Sequence, residues 1–74
     1  MTYAKLRGKI REVFGTNRKF GIAMNMDPSV LSSKLNRKTQ WKEDEIARAC
    51  YVLGIPIEEV WLYFFNEKVV KEQP

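Results

Sequence analysis

The stretch 16–37, TNRKFGIAMNMDPSVLSSKLNR, constrains the fold of this chain more than any other. It carries the end of one helix and the start of another within a few residues. Asn25 is one of the few non-glycine types that tolerates a left-handed backbone. Asp27 is a favoured N-cap, because its carboxylate can accept the unpaired N–H groups of the next turn. Pro28 then falls at the first helical position, where a missing N–H costs nothing. The spacing predicts a helix from about Asn17 to Met24, with Phe20, Ala23 and Met24 inward. A second helix is expected from just after Asp27 to about Leu35. Helix, tight turn and capped helix together follow the plan of a helix-turn-helix, whose second helix enters the major groove of DNA.

The flanks read as helices too. Leu6, Ile10, Val13 and Phe14 follow the spacing of one apolar stripe, which Tyr3 extends upstream, so a first helix is expected from Tyr3 to about Phe14. Gly15 stops it and Thr16 caps the next. Trp41 is expected as a core wedge between helices. A fourth helix is expected from about Glu43 to Leu53, with Ile46, Ala49, Cys50 and Leu53 buried and Gly54 ending it. Its first-turn acids Glu43, Asp44 and Glu45 suit the positive end of the helix dipole. A last helix is expected from Ile57 to about Phe64, started by Pro56. The expected fold is therefore all-α: a compact five-helix domain over residues 1–65, with motif 16–37 and second motif helix 28–35. Residues 66–74 form a tail, and Glu67–Lys71 in it reads as a short strand or an extended segment.

Charge is divided along the chain. Up to Lys42 there are ten basic residues against Glu12 and Asp27, a balance of +8. From Glu43 onward three basic residues face seven acidic ones, a balance of −4. A basic half that contains the motif is an electrostatic footprint for a polyanion. Other classes are disfavoured. With no histidine and one cysteine, Cys50, there is no internal disulfide, no zinc-finger ligand set and no histidine base. No glycine-rich phosphate loop is present, so an enzyme is not expected, nor a metal, cofactor or small-molecule ligand. No apolar run reaches the ~18 residues of a membrane span, and cytoplasmic location is expected.

On the second motif helix, Leu31 and Leu35 point inward at about 100° per residue. Ser29, Ser32, Ser33 and Asn36 fall on the opposite side, which is small, polar and free of acid. Short hydroxyl side chains can hydrogen-bond either kind of base edge, so these four are the expected base contacts. Val30 flanks them, within reach of a thymine methyl. Arg18 and Lys19 on the first motif helix, and Arg37 and Lys38 in the loop after the second, are expected on phosphates.

Thr16-Asn17, Phe20, Met24, Met26-Asp27, Leu31, Leu35 and Asn36 together resemble the helix-turn-helix of the lambda-repressor-like family, most closely its small phage Cro-type regulators. Tyr3–Leu6, Trp41, Asp44–Ile46 and Ala49–Ile55 extend the likeness to about residues 3–65. The chain departs from the family pattern at Gly21, where alanine is usual, and at Asn25, where glycine is. Lys34 stands at a usually apolar position and is expected to snorkel along the core edge, its ammonium in solvent or on a phosphate. The resemblance implies a phosphate contact for Asn17 at the start of the first motif helix. It also implies a repressor that binds a double-stranded operator as a homodimer, in a phage or prophage within a bacterial cell. The aromatic cluster Trp61, Tyr63, Phe64 and Phe65 is the expected dimer seam, with Val69 of the tail. Neutralising four to six phosphates per subunit would give log K a slope of roughly −4 to −5 against log salt. The alternative is a protein-interaction module, an antitoxin, antirepressor or adaptor, that uses the same aromatic end.

Overall fold

A computed structural model describes residues 3–65. The described residues form five α-helices and one 3-10 turn, with no strand among them: α1 Ala4–Phe14, α2 Asn17–Met24, α3 Pro28–Leu35, α4 Glu43–Leu53, the turn Ile57–Glu59, and α5 Val60–Phe64. The tail strand expected over Glu67–Lys71, and Val69 with it, lie outside the described residues.

Helix ends follow the chemistry of their residues. Gly15 at φ 87° closes α1, a backbone that an L side chain resists, and its N–H donates to the Arg11 carbonyl at 3.0 Å. The Thr16 hydroxyl accepts from the Lys19 N–H at 3.2 Å and opens α2. Asn25, at φ 57° and ψ 45°, ends α2 in the left-handed region. The turn is closed by Asn25 N–H to the Ile22 carbonyl (3.0 Å) and Met26 N–H to the Gly21 carbonyl (2.8 Å). Gly21 fits there closely: a Cβ on it would stand 3.2 Å from the Met26 carbonyl oxygen. Pro28 opens α3, but the expected Asp27 cap does not form, because its side chain makes no capping hydrogen bond. Asp27 caps through its carbonyl alone, which accepts from Leu31 N–H at 3.0 Å.

The core runs through Leu6 and Ile10 of α1, Phe20 and Met24 of α2, Leu31 and Leu35 of α3, Ala49, Cys50 and Leu53 of α4, and Phe64 of α5. Each fully buried Leu, Ile or Phe contributes about 1.5–3 kcal/mol of transfer free energy. Helix α2 sits centrally, against α1, α3 and α4. Tyr3, Trp41 and Phe64 close the far end as edge-on ring pairs, with centroids 5.2–6.5 Å apart, so Trp41 is a wedge as expected.

Two expectations are corrected. Val13 is 43% exposed, because on the last turn of α1 it is Phe14 that reaches the Phe20 ring, at 5.6 Å, and Val13 is left at the rim. The last helix is also shorter than expected. After Pro56 the chain first makes a 3-10 turn, with Glu59 N–H donating to the Pro56 carbonyl, before α5 begins at Val60.

Candidate functional site

Helices α2 and α3, with one turn of α1, wall a groove of about 510 Å³. Its apolar lining is Gly21, Ile22, Met26, Pro28, Leu31 and Leu35, of which Gly21, Leu31 and Leu35 are buried. Its polar rim is Arg7, Asn17, Arg18, Ser32 and Asn36, with no carboxylate in the lining. Asn17 and Arg18 are brought here by the start of α2, where backbone N–H groups lack helical partners and favour an anion. Ser32 and Asn36 are brought by the outer face of α3, one turn apart, because Leu31 and Leu35 are drawn into the core. Two expected base contacts and two expected phosphate contacts thus share one groove.

Arg7 belongs to no motif that marks it for this site. Its Nη2 donates to the Leu35 carbonyl at 2.9 Å and to Asn36 Oδ1 at 3.0 Å. Asn36 Nδ2 in turn donates to Ser32 Oγ at 3.3 Å. One guanidinium therefore ties α1 to the end of α3 and continues into the polar face. The contact spans 28 residues of sequence. The only local signal is that Arg7 follows Leu6, on the flank of the α1 stripe.

The other expected site residues scatter. Ser29 is exposed on the first turn of α3, and Ser33 is half-buried, its carbonyl accepting from Lys38 N–H at 2.8 Å. Neither lines the groove. Lys19 and Lys38 are exposed. Arg37 has a left-handed backbone, φ 62°, and its guanidinium lies 4.4 Å from the Tyr3 ring centroid, facing the aromatic end. Val30 shares a different hollow with Asp27, Asp44, Glu45 and Arg48, so an acidic edge runs beside the start of α3.

Lys34 is a clear correction. It is 5% exposed, and its Nζ donates to the Gln40 carbonyl and to Glu45 Oε1, each at 2.9 Å. Its ammonium is drawn inward and joins α3 to α4, so it is neither in solvent nor open to a phosphate. Glu45 is held as a carboxylate. Burial pushes its pKa up, but the Lys42 N–H at 2.8 Å, the Lys34 hydrogen bond and the charges of Lys34 and Lys42 outweigh that and set it below the ordinary value.

Of the expected dimer seam, Phe64 is 3% exposed and belongs to the core, since Tyr3 and Trp41 pack against it. Trp61 and Phe65 are open, at 45% and 41%. Tyr63 is half-buried, with Lys5 Nζ 5.3 Å from its ring centroid. Cys50 is a buried free thiol whose pKa is raised by burial. Among the described residues no helix is long and apolar enough to cross a membrane.

The model of the family described as "Protein of unknown function (DUF739)" matches residues 1–67, a span that takes in all five helices and the groove. The chain belongs to the DUF739 family. No curated protein matches it. The DUF739 match describes a family without a stated activity. The all-helical fold is compatible with a helix-turn-helix.

Proposed function

We propose that this DUF739 protein is a sequence-specific double-stranded DNA-binding regulator, a Cro-type phage or prophage repressor that acts as a dimer on paired half-sites. The observation that carries the reading is the α2–turn–α3 unit. A left-handed Asn25 joins two short helices, and the acid-free groove beside them gathers Asn17 and Arg18 at one helix start with Ser32 and Asn36 on the next helix. Helix starts and cations position a phosphate strand, while short polar side chains on an exposed helix face meet base edges. The basic balance of the chain up to Lys42 supports the same partner.

The exposed side chains Ile57, Trp61 and Phe65 favour a second reading, a protein-interaction module that uses this end on another protein. Alanine substitution separates the two. In fluorescence-anisotropy titrations of labelled duplex DNA at low salt, Arg18→Ala and Asn36→Ala should each weaken binding by about 5- to 100-fold. Trp61→Ala should act only through dimerisation, with its effect lost at saturating protein. If Arg18 and Asn36 are dispensable while Trp61 and Phe65 control capture of a partner protein without affecting self-association, the interaction reading replaces this one.

A further inference from the structure

We propose that Arg7 sets the base preference of this face by making the Asn36–Ser32 pair a reader of guanine instead of adenine. The inference rests on the DNA-binding reading above and adds a specificity-determining residue to it. An asparagine that reads adenine uses both ends of its amide: Oδ1 accepts from the adenine amino group and Nδ2 donates to N7. Here Oδ1 already accepts one hydrogen bond from within the protein, so an adenine amino group would have to share that oxygen with a guanidinium cation. A guanidinium has only donors, so the Asn36 atom 3.0 Å from Arg7 Nη2 is the oxygen; a flipped amide would set donor against donor.

The remaining groups follow from that assignment. Asn36 Nδ2 gives one hydrogen to Ser32 Oγ, at 3.3 Å, and keeps a second. The Ser32 hydroxyl, accepting there, keeps its own hydrogen to donate. On one turn of α3 the pair therefore offers an N–H and an O–H. Guanine presents two acceptors, N7 and O6, to the major groove, whereas adenine sets an amino donor beside its N7. Two donors suit guanine. Control runs from Arg7, because the same Nη2 also donates to the Leu35 carbonyl at 2.9 Å, which fixes the guanidinium on the backbone independently of the Asn36 side chain.

Selection of bound sites from random duplex DNA tests the inference, with wild type, Arg7→Met, Asn36→Ala and Asn36→Asp run in parallel. The diagnostic position is the one whose preference disappears in Asn36→Ala. Wild type should select guanine there. Arg7→Met removes the cation that shares Oδ1 and should move that position towards adenine, a relative change of roughly 5- to 150-fold, with the rest of the site kept. Asn36→Asp keeps an acceptor for Arg7 but removes the amide donors. It should lose guanine without gaining adenine, and guanine retained there overturns the inference even if Arg7→Met fails to fold. Adenine in the wild-type site, guanine retained by Asn36→Asp, or an unchanged base in folded Arg7→Met would each overturn the inference while leaving DNA binding standing. If wild type enriches no sequence over the starting pool, the DNA-binding reading falls and the inference falls with it.

Discussion

The ammonium of a lysine only 5% exposed needs partners, and that of Lys34 has two, the Gln40 carbonyl and the Glu45 carboxylate. Removing the ammonium while keeping the stem, as Lys34→Met does, leaves that carbonyl without its donor and Glu45 with the Lys42 N–H and two-tenths of its surface in water. Lys34→Met should therefore destabilise the fold by about 1–3 kcal/mol, read from urea denaturation at pH 7. The sign of the pH effect follows from Glu45. Its folded pKa is lowered, so its contribution is present above the unfolded value near 4.5 and is lost as pH falls through the lower folded value. In Lys34→Met the Glu45 pKa should rise and the loss of stability below about pH 4.5 should be shallower than in wild type. An equal acid sensitivity in both proteins would contradict the pair. The sequence leaves Lys34 illegible because its role depends on Glu45, in a different helix. Its place one residue before a core leucine gives only a helix-edge position. The Asn36 position on the outer face was legible from periodicity, but its engagement by Arg7 was not, since that contact joins α1 to α3.

The α2–turn–α3 unit was legible almost to its boundaries because its signals are local: Thr16, Asn25 and Pro28 act on their own neighbours. Where tertiary packing decides, residue spacing says less. Val13 has the right spacing for the core but lies at its rim, while Phe64, expected at a dimer seam, is enclosed by Tyr3 and Trp41. The turn makes a specific demand on Asn25. A left-handed backbone costs most L residues about 1–2 kcal/mol, and asparagine less. Asn25→Ala should therefore lower stability by about 1 kcal/mol, whereas Asn25→Gly should stay within about 0.5 kcal/mol of wild type, measured by thermal or urea unfolding. An alanine variant as stable as the glycine variant would mean that the turn does not hold that conformation. Gly21 makes a different demand, one of space, since its Cα lies under the Met26 carbonyl that the same turn brings across.

At the scale of the whole molecule the charge division was legible from residue counts, but where the cations point was not. The structure turns Lys34 inward and Arg37 towards Tyr3, and keeps Asn17 and Arg18 on the groove. Asp27 and Asp44, with Arg48 beside them and Glu45 paired to Lys34, stand on the other side of α3 from the groove's acid-free lining. A polyanion lying on this protein is therefore steered to one flank of α3, and the strength of that steering is read in salt dependence. The most direct measurement is the slope of log K against log salt for a duplex carrying the selected site. With Lys34 withdrawn from the phosphate set, three to five phosphates remain and the slope should be roughly −3 to −4.5 per subunit. Arg18→Ala should make it shallower by about 1, and Lys34→Met, where folded, should leave it unchanged. A slope near zero, or one that responds to Lys34 and not to Arg18, would contradict the proposal that this groove holds DNA.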